Sequence, residues 1–75
     1  METILDMKAS AKMLIELRGQ KSQKEVADAI GISVSALSMY ENGERIPRDN
    51  IKVRLANYYN KAIGDIFFIT KSHDT

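Results

Sequence analysis

A chain of 75 residues has room for one hydrophobic core, because a domain of this size hides only about 60% of the surface its unfolded chain exposes. The absence of cysteine excludes a disulfide framework and thiolate metal sites, and the lone His73 has no partner histidine at ligand spacing. A net charge of +1 excludes the strongly basic balance of many nucleic-acid binders, so the positions of the charges matter more than their total.

Residues 7 to 54 hold nine basic side chains (Lys8, Lys12, Arg18, Lys21, Lys24, Arg45, Arg48, Lys52, Arg54) against six acids (Glu16, Glu25, Asp28, Glu41, Glu44, Asp49). The longest apolar run, Ile66 to Ile69, is too short to span a bilayer, and the start, with Glu2 and Asp6, is unlike a signal peptide. A cytoplasmic protein with no membrane partner is expected.

In chain order, Leu14 and Leu17 at i, i+3 predict a first helix from about Met7 to Arg18, with Met7 and Met13 as filler and Gly19 ending it. Ser22 followed by Glu25 reads as a capping box, so a second helix starts at Gln23 and carries Val26, Ala27 and Ile30 at helical spacing. Gly31 then stands where a left-handed residue would close it. Ser33 is the N-cap of a third helix that runs to about Asn42, before Gly43. Pro47 suits the first turn of a fourth helix bearing Ile51, Leu55, Ala56 and Tyr59, and a short fifth would turn Ile63, Ile66 and Phe67 inward. No strand signal competes with this reading, and residues 71 to 75, with His73, are expected to form a frayed tail.

Residues 23 to 42 have small and apolar side chains where a helix-turn-helix requires them. Ala27 lies where two helices cross and Gly31 takes the sharp turn. Val26, Ile30, Ile32, Leu37 and Tyr40 would pin both helices to the core, which leaves Ser33, Val34, Ser35, Ser38, Met39 and Asn42 facing outward. None of these six is charged, whereas an exposed helical face usually mixes lysine with glutamate. Such a neutral face can slide against base edges without repelling phosphate.

With these residues placed, the chain resembles the phage-repressor and Cro-like helix-turn-helix regulators, the XRE family, over roughly residues 8 to 69. The resemblance is carried by Leu17-Arg18, Ser22-Gln23, Glu25-Val26-Ala27 and Ile30-Gly31-Ile32-Ser33. It continues through Ser35, Leu37-Ser38, Tyr40-Glu41-Asn42-Gly43, Arg45, Pro47, Leu55-Ala56, Ile63 and Asp65-Ile66-Phe67. It implies an all-α fold, a compact five-helix lambda-repressor-like DNA-binding domain occupying residues 1 to 75 as a single unit. It also implies that Gln23 touches phosphate and props the reading helix, and that Ser33, Val34, Ser35, Ser38 and Met39 face the bases. Asn42 would clamp phosphate and Arg48 would approach the minor groove. Arg18 and Glu41 match a buried ion pair that ties the first helix to the third.

The link between Arg18 and Ser22 is two residues shorter than the form commonest in that family. The reading face also lacks the glutamines and arginines that make two-pronged base contacts, each worth roughly 1 to 3 kcal/mol of discrimination. Specificity is then expected from Val34 or Met39 on thymine methyls, from serine hydrogen bonds, and from groove shape read by Arg45 or Arg48.

Phe67, Phe68 and Ile69 cannot all face one core, and the resemblance implies a homodimer through this region. A two-fold dimer would place the reading helices about 34 to 36 Å apart on double-stranded DNA. The expected function is sequence-specific duplex binding by a dimeric repressor of prophage or mobile-element type. A restriction-modification controller, an antitoxin that represses its own operon, and a protein-interaction module that has lost DNA remain open. No cofactor, metal or small-molecule ligand is expected. Nor is an enzyme, since the sequence has no nucleophile-base pair or phosphate-cradling glycine loop.

Overall fold

The computed structural model describes residues 2–5, 7–67 and 69–72, the first and last of these stretches by their backbone. Its elements are β1 (Glu2–Leu5), α1 (Met7–Arg18), α2 (Gln23–Ile30), α3 (Val34–Glu41), α4 (Asp49–Tyr59), α5 (Ile63–Ile66) and β2 (Ile69–Ser72). The five helices are those the apolar spacing and the breakers predict.

Local hydrogen bonding explains most of the boundaries. Ser22 Oγ and Ser33 Oγ accept from Glu25 N–H and Ala36 N–H, each at 3.0 Å, and so occupy otherwise orphaned donors at the starts of α2 and α3. Only the serine half of the capping box forms, because the exposed Glu25 carboxylate makes no return bond. At the other end of α2, Gly31 adopts φ 77°, and both its N–H and that of Ile32 reach Ala27 O. This left-handed closure turns the chain within two residues into the cap of α3. Asn60 closes α4 in the same way, at φ 58°. Pro47 departs from expectation: it lies buried two residues before α4, and Arg48 takes the N-cap position in extended backbone.

The core joins all five helices. Leu14, Val26, Ala27, Ile30, Leu37, Leu55, Ala56, Ile66 and Phe67 form one buried cluster, with Leu17, Ile32, Tyr40, Ile51, Tyr58 and Tyr59 packed around it. Each fully buried leucine or isoleucine contributes about 1.5 to 3 kcal/mol of burial free energy. The buried face of α1 is Ser10, Ala11 and Leu14. Two of these are small, which lets α1 approach α3 and the loop behind it closely. Ile63 corrects the expected inward stripe of α5: it begins the helix and is 40% exposed, while Ile66 and Phe67 fill the core.

The chain ends also differ from expectation. β1 and β2 pair antiparallel as a two-stranded ribbon in the register Glu2 to Ser72, Thr3 to Lys71, Ile4 to Thr70 and Leu5 to Ile69. Lys71 and Ser72 therefore belong to a strand instead of a frayed tail; residues 73 to 75, including His73, lie outside the described residues. The β-branched Thr3, Ile4, Ile69 and Thr70 suit extended backbone. Four-residue strands are nevertheless too short to show an alternating pattern, and only the folded helices bring the two segments together.

Candidate nucleic-acid interface

The short turn between α2 and α3 leaves one side of α3 without cover. Leu37 and Glu41 are the buried positions of that helix, and they define its inward direction. Opposite them stand Ser35, which is exposed, and Met39, which is half-buried; Ser38 and Asn42 flank them on one side. Val34 is 41% exposed at the first turn, beside the cap Ser33. The six neutral residues thus run along α3 from its N-cap Ser33 to its C-cap Asn42, with Met39 and Ser38 partly sheltered by their neighbours.

Glu41 is the hub that fixes this helix. Its side chain is only 2% exposed, yet both carboxylate oxygens have donors: Arg18 Nε at 2.8 Å from Oε2 and Gln23 Nε2 at 2.9 Å from Oε1. Arg18 Nη1 also donates to Lys21 O at 2.8 Å. One guanidinium therefore ties together the end of α1, the link after it and α3. Gln23 spends one amide N–H on Glu41 and keeps a second for another acceptor. Lys21 O is only three residues from Arg18, but no residue type marks a backbone carbonyl as an acceptor, so this contact has no signature in the sequence.

Tyr59 packs beside this pair, and its buried hydroxyl has no hydrogen-bond partner among the described residues. Burial, and secondarily the Glu41 charge, push that hydroxyl up to about 12.

The cations divide into committed and uncommitted groups, a distinction that charge counting cannot make. Lys24 pairs with Asp28 at 2.8 Å, Lys52 with Asp49 at 3.6 Å, and Arg54 Nη1 donates to Ile30 O at 3.2 Å. Lys21 Nζ donates to Tyr58 Oη at 3.3 Å. Arg45 and Arg48 are exposed and have no partner among the described residues. Their loop is anchored at its start, directly after α3. Glu44 N–H reaches Met39 O at 2.9 Å, and Gly43 (φ 75°) lies against α1, where an added Cβ would sit 3.6 Å from Met7 O. Asn42 ends α3 at the head of this loop, its amide 3.4 Å from Ser38 Oγ.

Of the residues expected to form a dimer surface, Phe67 is buried in the core at 5% exposure. It is unavailable to a partner, because it is the plug between α5 and the other helices. Ile69 enters β2 and Phe68 lies outside the described residues. Among the described residues no helix is long and apolar enough to cross a membrane, and no group of acidic or histidine side chains converges to hold a metal.

A family model described as helix-turn-helix matches residues 12–66. No curated protein and no solved structure gives a significant match. The match runs from within α1 to the end of α5 and includes the exposed face of α3, its caps and the Glu41 hub. The chain therefore belongs to the helix-turn-helix family of XRE-type, DNA-binding transcriptional regulators.

Proposed function

We propose that the protein is a sequence-specific repressor of prophage or mobile-element type, working in the cytoplasm as a homodimer on a two-fold operator, with α3 in the major groove. The observation that carries this reading is the uncharged outer face of α3, held in place by Arg18 and Gln23 through Glu41. Ser35, Ser38, Met39 and Val34 meet base edges in this reading. Ser33 meets phosphate at the helix N-terminus, where its hydroxyl hydrogen is still available to donate. Gln23 gives its second amide N–H to phosphate, Asn42 adds a further phosphate contact, and the unpaired Arg45 and Arg48 follow the groove. A single small module buries only about 600 to 1,000 Å² on DNA, so tight specific binding calls for two copies.

The test replaces Ser35 and Met39 together by glutamate. Binding to duplexes selected from a random pool should be abolished, while the helical signal is retained and unfolding free energy falls by about 1 to 2 kcal/mol, because Met39 is half-buried. Binding that survives the double substitution would place the reading surface elsewhere.

A further inference from the structure

The β1–β2 ribbon is the part of the molecule that the DNA-reading proposal does not use. Its principal contacts are between its own strands, and the molecule as a whole is elongated, 43 Å long against 22 and 21 Å across. An isolated two-stranded ribbon is marginal in water, and each outer edge presents unpaired N–H and C=O groups. Among the described residues neither β1 nor β2 has a neighbour on its outer edge.

The two edges are not equivalent. β2 carries Lys71 in its interior, and a lysine at mid-strand is a common device by which an edge repels a further strand. β1 reads Glu-Thr-Ile-Leu, with its one charge at the first position and Thr3, Ile4 and Leu5 following. If two β2 strands paired antiparallel about a two-fold axis, their lysines would stand opposite or diagonal to each other, a destabilising arrangement. If two β1 strands paired in that way, the glutamates would fall at opposite ends of the shared ladder. A β1 edge joined to another copy's β2 edge would not close and would grow into an open chain.

We infer that the outer edge of β1 pairs antiparallel with β1 of a second copy, joining two ribbons into a four-stranded intermolecular sheet. This rests on the dimeric reading above and assigns its seam. The strands supply main-chain hydrogen bonds, and the closed two-fold arrangement leaves only the lysine-bearing edges exposed.

The experiment is sedimentation equilibrium on the full chain and on two variants. Ile4→Lys introduces charge on the β1 edge; Thr70→Lys, its cross-strand neighbour, adds charge on the β2 edge. Ile4→Lys should raise the dimer dissociation constant at least about tenfold, since the like charge is introduced twice across the dyad, while Thr70→Lys leaves it within about twofold. Isotope-filtered NMR on a mixture of labelled and unlabelled wild-type chains should show contacts between the backbone protons of Thr3 or Ile4 in one copy and β1 in the other. That readout does not depend on any variant folding. A wild-type chain that stays monomeric overturns both the dimer and this seam. A wild-type dimer without those contacts, or one indifferent to Ile4→Lys, overturns the seam alone. Growth into larger species with concentration also overturns it, in favour of open pairing.

Discussion

Glu41 illustrates how much one side chain can organise. Its carboxylate is desolvated, and its energetic standing depends on Arg18 and Gln23 both donating to it. Glu41→Ala would leave a guanidinium and an amide without their acceptor. Arg18 keeps 21% of its side-chain surface exposed, so water offsets part of that loss, and the expected cost is about 2 to 3 kcal/mol in urea unfolding. Tyr59 presents the opposite case, a buried hydroxyl with no partner. Tyr59→Phe removes an unsatisfied group and should hold stability level or raise it by up to about 1 kcal/mol at neutral pH. The same residue also makes a prediction in alkali. An unfolded tyrosine titrates near about 10, whereas the folded one is pushed up to about 12, so the folded state holds this proton more tightly. Its contribution is intact below about pH 10 and drains away as the pH rises toward 12. The stability gap in favour of Tyr59→Phe should therefore widen between pH 9 and about 12, measured by denaturant midpoints; a constant gap would show that the hydroxyl is solvated.

Among the elements, the turn between α2 and α3 is set by backbone conformation more than by crowding. Gly31 sits at φ 77°, but a Cβ built there would meet nothing nearer than Arg54 Nη1 at 3.6 Å. Gly31→Ala should thus cost about 1 to 2 kcal/mol through left-handed strain alone, and Gly31→Val more, because a β-branched residue tolerates that region worst. Gly64 is the internal control: it lies within α5 with open space around it, so Gly64→Ala should gain about 0.5 to 1 kcal/mol. Thermal melts of the two alanine variants should move in opposite directions. These turn and cap positions were legible in the sequence because their chemistry acts within three or four residues. The contact face of α1 was not, since Ser10 and Ala11 give no hydrophobic contrast and are buried only because α3 and the Gly43 loop come close.

For the molecule as a whole, the division of cations predicts how affinity responds to salt. Duplex binding should fall linearly on a log scale as salt rises, with each phosphate contact adding about 0.9 to the slope. Arg48→Ala, which removes an unpaired cation, should lower affinity across unrelated sequences and reduce the slope by roughly 1 for each bound subunit. Lys24→Ala should leave the slope unchanged, because Lys24 is already spent on Asp28. Fluorescence anisotropy across a salt series checks both. Equal effects from the two substitutions would mean that the Asp28 pairing does not govern which cations reach phosphate.

The sequence alone determined the number and order of the helices, the serine caps, the left-handed Gly31 and the neutral outer face of α3. Each of these follows from periodicity or from hydrogen bonds that close within a turn or two of chain. Tertiary structure decided which charges are free, that Lys21 O and Gln23 join the Arg18 and Glu41 pair, that Phe67 is core while Ile63 is not, and that the chain ends meet as strands. The Lys24–Asp28 and Lys52–Asp49 pairs and the Arg18 bond to Lys21 O close within three or four residues, whereas the other contacts join partners 18, 23 or 37 residues apart, as for Gln23 with Glu41, Arg18 with Glu41 and Lys21 with Tyr58, or opposite ends of the chain. Their geometry exists only once the helices have packed, because no local pattern records a distance across the core.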